Sequence, residues 1–294
     1  MKAVFQERVV SLDSLTGKNG RFCFGKFEKF TFLCYIKGLL FFNSGNFFKY
    51  NGENQMFKKT FAFAAALVIC GALCGADIFL AGDSTCASYP ASRAPLTGWG
   101  QVLQSSCKDG VKVVNLAVSG ASTKSYIASK AWEKLIAKVK KGDFVVIQFG
   151  HNDSHTKKEK QYTVPGGTYD ANLKKFIADV KAKEAVPVIA TSISRANFDK
   201  KGVIAPSSLN KYCAAATAVA KAEQVALVDL NGATVKLFNQ LKKEETRKLF
   251  MCSSDDPKRK NDITHVNKKG AEAIAKLFVE AVKAQKLPLA ECFK

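Results

Sequence analysis

Ser84 stands in Leu80-Ala81-Gly82-Asp83-Ser84-Thr85, where a short apolar run, Ile78-Phe79-Leu80, empties into small and polar residues. Asp and Ser are poor strand formers and Gly favours a tight turn, so the stretch reads as a strand exit. A serine held at such a tip can act as a nucleophile if a base lies within hydrogen-bond reach of its hydroxyl. The chain has three histidines, His151, His155 and His265. His265 closes Asn261-Asp262-Ile263-Thr264-His265, and Asp262 can reach the imidazole Nδ1 within one turn. That bond would fix the tautomer and leave Nε2 free to take a proton from Ser84. Acyl transfer also needs donors for a developing oxyanion. The Ser84 N–H, the Gly120 N–H and the Asn152 side-chain amide are the candidates. Each residue also has a plain structural reading: Gly-Asp-Ser and Gly120 as ordinary turns, Asn152 as an Asx turn, Asp262 as a helix cap.

Elements must bring these residues together. From residue 77 on, short apolar runs alternate with helical stretches. Strands are predicted at Asp77–Ala81, Val111–Ala117, Asp143–Phe149, Val186–Thr191 and Val225–Leu230. Helices are predicted from Gly98 and over Ser125–Lys140, Tyr169–Ala185, Ser207–Gln224, Asn231–Leu249 and Lys268–Gln285. Five largely apolar strands separated by helices predict a parallel sheet covered on both faces. Ligands bind such sheets beyond the carboxyl ends of the strands. The exits Gly82-Asp83-Ser84, Val118-Ser119-Gly120 and Gly150-His151-Asn152-Asp153 are all small or polar, as a shared site requires.

The chain has 294 residues, of which 47% are hydrophobic and 24% charged, so global disorder is excluded. Met56-Phe57-Lys58-Lys59 opens a basic, then apolar, then small-residue pattern that ends at Ala76, the pattern of a secretory signal peptide. A transmembrane anchor is the alternative, for which the apolar run is short. Residues 1–55 hold 10 of the 22 Phe without a clear period. With Met56 as the start they form a non-native or disordered extension; a membrane-associated extension is the alternative. The expected product is one domain, residues 77–294, secreted to the extracellular space or periplasm, monomeric, and not inserted in the membrane after cleavage near Ala76.

That domain carries 35 basic and 21 acidic side chains. Many of the lysines read as a solvated helix surface; such a surface also suits an acidic polymer. No nucleic-acid motif, P-loop, dinucleotide fingerprint or G-x-S-x-G elbow is present. Cys86, Cys107, Cys213, Cys252 and Cys292 are widely spaced, which argues against zinc and leaves their pairing open. No metal or cofactor is expected. Asp83 reads as holding the Ser84 turn, Cys86 as a buried thiol or disulfide partner, and His155 as a rim residue. His151 is a structural neighbour of Asn152 or a substrate contact, and Arg195 a uronate partner or half of a salt bridge.

"GDST", "NLAVSG", "FGHND" and "DITH" fall, in order, after the first three strands and before the last helix. In this the chain resembles the SGNH (GDSL) hydrolase superfamily over Asp77–Phe278. "LAGDST", "GWGQ", "VVNLAVSGASTKSY", "FGHND" and "GGTYDANLKKFI" are most similar to its rhamnogalacturonan acetylesterase branch. The departure is Thr85, where many members have Leu; it leaves the nucleophile untouched. The resemblance implies a flavodoxin-like three-layer α/β/α sandwich with a five-stranded parallel sheet. It implies Ser84 as nucleophile, His265 as base, Asp262 as its orienter, and Ser84, Gly120 and Asn152 as the oxyanion hole. The implied activity is that of a secreted serine esterase removing O-acetyl groups from an acidic plant cell-wall polysaccharide, chiefly rhamnogalacturonan or pectin. Acetylxylan, another glycan or a lipid as substrate, or a catalytically dead carbohydrate-binding protein, are the alternatives.

Overall fold

In the computed structural model of the chain, residues 75–294 are described throughout, together with the backbone pairing of five short strands nearer the N-terminus. The chain divides into two compact units, Met1–Leu67 and Val68–Lys294. In the first, Lys2–Phe5 pairs antiparallel with Arg8–Ser11, and Gly38–Asn43 pairs antiparallel with Leu33–Ile36 and Asn46–Phe47. The leader read over residues 56–76 lies outside the described residues as far as residue 74. No helix among the described residues is long and apolar enough to cross a membrane.

The second unit is organised by β1 (Ile78–Gly82), β2 (Val113–Asn115), β3 (Phe144–Gln148), β4 (Val186–Ala190) and β5 (Ala226–Val228). They pair side by side in the order β5-β4-β3-β1-β2, every neighbour parallel. The central strands are apolar in succession because both faces of the sheet are covered. Ile78, Leu80, Phe144 and Val146 enter one core with Trp99 and Phe278, while Phe79, Ala81, Val145 and Ile147 enter a second core with Tyr126, Trp132 and Phe176. On the first face pack α1 (Trp99–Val102), α6 (Leu230–Arg247) and α7 (Lys268–Ala284); on the second, α2 (Thr123–Ala128), α3 (Ala131–Ile136), α4 (Thr168–Ala182) and α5 (Leu209–Ala222). This is a three-layer sandwich of flavodoxin-like topology. The chain passes from β1 to β2 at one edge, then returns to β3 on the other side of β1. The carboxyl ends of β1 and β3 therefore border the topological switch point, where open α/β sheets bind ligands.

Three expectations differ in detail. The helix expected over Ser125–Lys140 is two short helices, broken where Lys130 takes a left-handed conformation with φ of 60°. The helix after β5 is kinked at Lys242, whose φ is 65° and ψ 172°. β2 is shorter than the apolar run and ends at Asn115, which pairs with Leu80 and whose side-chain amide donates to the Cys86 carbonyl at 2.8 Å and to Ser88 Oγ at 3.1 Å. Among the described residues, Cys86, Cys107, Cys213, Cys252 and Cys292 are free thiols, with Cys86, Cys107 and Cys292 buried.

Candidate active site

The segment after β1 is built around Asp83, which is fully buried. Its Oδ1 accepts from the Thr85 N–H at 2.9 Å and the Thr85 hydroxyl at 2.8 Å. Its carbonyl accepts from the Cys86 and Ala87 N–H groups, which turns the chain tightly after Ser84. Thr85 is steadied in turn by Gln148, whose amide donates to its hydroxyl at 3.2 Å while the Trp99 indole N–H donates to Gln148 at 2.9 Å. The GWGQ stretch, read as a helix start and as part of the family resemblance, thus buttresses the serine turn. Tyr89 holds the turn from outside by donating to the Ser84 carbonyl at 2.7 Å.

Asp262 organises the segment before α7 in the same local way. Its Oδ1 accepts from the backbone N–H groups of Thr264, at 3.2 Å, and His265, at 2.9 Å. This Asx-type turn swings the imidazole back over the carboxylate, with His265 Nδ1 at 3.0 Å from both carboxylate oxygens. The His265 carbonyl accepts from Met251, and Asn267 caps α7 through the Gly270 N–H at 3.1 Å, so the turn has little freedom. His265 Nε2 lies 3.0 Å from Ser84 Oγ. Two residues distant in sequence therefore meet at the switch point, linked through one imidazole to a carboxylate.

Burial pushes the Asp262 carboxyl up, but hydrogen bonds from His265 and Thr264 and the charge of His265 outweigh it and hold the group down at about 2. The carboxylate stays ionised and can stabilise an imidazolium at Nδ1. Sequence reading missed Arg259. Its Nη1 donates to Asp262 Oδ2 at 2.7 Å, from three residues upstream. That spacing is the only trace of it in the sequence.

Gly120 has φ of 80°, a conformation open to glycine, and its carbonyl is fixed by the Gln161 side chain at 2.6 Å. Neither the Ser84 N–H nor the Gly120 N–H has an acceptor among the described residues. Asn152 is buried, and its Nδ2 donates to the Ala121 carbonyl at 2.9 Å, which leaves the second amide hydrogen for another acceptor. These two exits are tied together by Asp153, which accepts from the Thr123 N–H at 3.1 Å and from the hydroxyls of Thr123 and Thr163 at 2.5 and 2.7 Å. Burial raises the Asp153 carboxyl to about 6 despite those donors. Asp153→Ala leaves all three donors buried and unpaired, so it is expected to cost about 2–4 kcal/mol in urea unfolding.

His151 is buried beside Asn152, with neither ring nitrogen bonded to a described residue. Burial lowers its proton affinity, and the nearby Arg195 lowers it further. His155 is half-buried, as a rim residue should be. Arg195 makes no salt bridge within 4.0 Å among the described residues, so the salt-bridge reading of it does not hold. Among the described residues, no group of three His, Cys, Asp or Glu side chains is placed to hold a metal ion.

Fold and site together define a serine ester hydrolase on a flavodoxin-like sheet. The GDSL-like lipase/acylhydrolase family matches residues 78–278, and the chain belongs to that family. A rhamnogalacturonan acetylesterase of Bacillus subtilis is 36% identical over 218 residues, covering 72% of this chain and 92% of that protein. A probable rhamnogalacturonan acetylesterase of the same organism is 35% identical, covering 73% and 95%. The crystal structure of the Bacillus subtilis protein YxiM superposes with a TM-score of 0.61 at 28% identity, covering 73% of this chain and 58% of that one.

Proposed function

We propose that the protein is a secreted carbohydrate acetylesterase that removes O-acetyl groups from rhamnogalacturonan or a related acidic pectic polysaccharide. The reading is carried by the contact of Ser84 Oγ with His265 Nε2 at 3.0 Å, with Asp262 behind the ring. Ser84 Oγ attacks the acetyl carbonyl as its proton passes to His265 Nε2. The tetrahedral oxyanion accepts from the Ser84 and Gly120 N–H groups and the Asn152 amide. Collapse breaks the ester bond, and the His265 proton leaves with the sugar hydroxyl. Water then gives a proton to His265, attacks the acyl-serine and releases acetate, and the same proton returns to Ser84.

Two observations favour a sugar over a long acyl chain. The named Bacillus subtilis relative acts on rhamnogalacturonan, as its name states. A cleft of about 580 Å³, which reaches the triad through Arg259, the partner of Asp262, is lined by Ser92, Arg93, Ser253, Asp255 and Asn267 among others, a polar wall that suits hydroxyl groups. Export through the leader at residues 56–76 fits a polymer that cannot enter the cell.

The test is acetate release from acetylated rhamnogalacturonan, acetylated xylan and a long-chain ester. The first is expected to be the best substrate. A preference for xylan or the long-chain ester would overturn the substrate assignment; no turnover of any ester would overturn the enzyme. Asn152→Ala is expected to lower kcat by about 10²–10³-fold with little change in KM, since its amide is needed mainly as the oxyanion forms. Steady-state kinetics on an aryl acetate reads this directly.

A further inference from the structure

Arg259 grips Asp262 twice. Its backbone carbonyl accepts from the Asp262 N–H at 2.8 Å, and its Nη1 donates to Asp262 Oδ2 at 2.7 Å. The grip is prepared by the residues just before it. Asp256 caps the single turn Pro257–Arg259 by accepting from the Lys258 N–H at 2.9 Å, and the Asp256 carbonyl accepts from the Arg259 N–H at 2.9 Å. The Asp256 carboxylate also lies 3.7 Å from Arg259 Nε, so two nitrogens of one guanidinium face two acids. Exposed ion pairs contribute little, but this one is largely withdrawn from water: the side chains of Arg259 and Asp262 are 21% and 16% exposed.

The two oxygens of Asp262 are held differently. Oδ1 accepts from the N–H groups of Thr264 and His265, bonds that make the turn whether or not Arg259 is present. Oδ2 meets Arg259 Nη1 and His265 Nδ1, the latter at 3.0 Å. The guanidinium is therefore the one donor outside the turn that fixes the rotation of the carboxylate beneath the imidazole. It also brings a positive charge. A carboxylate shared with a guanidinium draws less strongly on the imidazolium that forms when Ser84 gives up its proton.

We propose that Arg259 is a positioning residue of the hydrolytic reaction, acting through Asp262: it clamps Oδ2 beneath His265 and, by sharing the charge of the carboxylate, extends turnover to lower pH. The proposal rests on the triad mechanism above and deepens it. Arg259 touches neither Ser84 nor the acyl group in that mechanism, so its effect is read in rate and pH dependence.

The test is the pH profile of kcat and kcat/KM on an aryl acetate, a small substrate that does not depend on the cleft Arg259 also lines. In Arg259→Ala, kcat on the plateau is expected to fall about 10–100-fold with KM within about 2-fold, because the carboxylate loses its fixed rotation. The acid limb of kcat/KM is expected to move up by about half a pH unit to one unit, because the positive charge is gone. Arg259→Gln, which keeps a donor without the charge, is expected to move the limb as far while losing less kcat. Arg259→Lys keeps the charge without the fork, so its limb is expected to stay in place while part of the kcat loss remains. Methylguanidinium is expected to restore part of the kcat of Arg259→Ala. The other charged or titratable groups around the pair are Asp83 and His151 near His265, and Asp256 and Tyr89 near Arg259. They are the same in every variant, so a moved limb belongs to Arg259. An equal loss at every pH, with the limb unmoved in both the Ala and the Gln variant, would make Arg259 a brace for the fold and overturn the proposal. Wild-type kcat in Arg259→Ala would overturn it too. Both outcomes would leave the triad and the acetylesterase reading standing, whereas a wild type inert on every ester would overturn those first and this proposal with them.

Discussion

Ser84→Ala is expected to lower kcat on an aryl acetate by about 10⁴–10⁶-fold while the protein remains folded. The two halves of this expectation have separate physical grounds. Turnover fails because the hydroxyl is the atom positioned 3.0 Å from a base that is itself fixed by a carboxylate. Folding survives because the turn is held by other atoms: the Asp83 carboxylate and carbonyl, the Thr85–Gln148–Trp99 chain, and Tyr89 on the Ser84 carbonyl. The substitution removes one hydrogen bond, worth about 1 kcal/mol, which in a domain of this size moves Tm by only about 2–4 °C. His265→Ala is expected to lose about as much activity, and the double variant little more than either single one, since the pair acts as a unit. A Ser84→Ala protein with near wild-type kcat and an unchanged melting curve would refute the mechanism. So would a double variant whose losses multiply.

How much of this was legible in the sequence depends on which physical signal carried it. The parallel sheet was readable because its strands are apolar on both faces, and few other environments tolerate runs such as Phe144–Gln148. The site residues were readable because the residues leaving β1, β2 and β3 are small and polar where a purely structural loop is free to be otherwise. The break at Lys130 was not, since the exposed lysine takes a φ of 60° with no glycine or proline to announce it. Nor was the kink at Lys242. Arg259 escaped for a different reason: an arginine three residues from an aspartate is common, and only the turn that points both side chains at one carboxylate distinguishes this one. The same holds for Trp99 and Gln148. Their role is a hydrogen bond between residues 49 positions apart, which no local pattern encodes.

The second large effect concerns the carboxylate itself. Asp262→Asn is expected to lower kcat by about 10⁴-fold, although the side chain barely changes in size. Four donors converge on the Asp262 carboxylate: the N–H groups of Thr264 and His265 on Oδ1, Arg259 Nη1 on Oδ2, and His265 Nδ1 between the two oxygens. An amide offers one oxygen and one NH₂. With its oxygen toward the backbone donors, the NH₂ faces the Arg259 guanidinium; flipped, it faces two backbone N–H groups. Either way a donor meets a donor, and His265 Nδ1 loses the anion that favours its proton. The histidine then places its proton on Nε2, the tautomer that cannot accept from Ser84. The pH dependence of stability gives an independent reading. Asp262 in the wild type is held at about 2, below its ordinary value of 3.8, so its ionised form stabilises the fold above the ordinary value and that contribution is lost as pH falls through about 2. The asparagine variant has no such contribution. The stability difference between the two proteins in urea unfolding is therefore expected to be full at pH 6 and to narrow steadily from about pH 4 toward pH 2. A difference independent of pH over that range would mean that the carboxylate is not held by charge. A variant retaining more than about a tenth of wild-type kcat would mean that the imidazole does not depend on it.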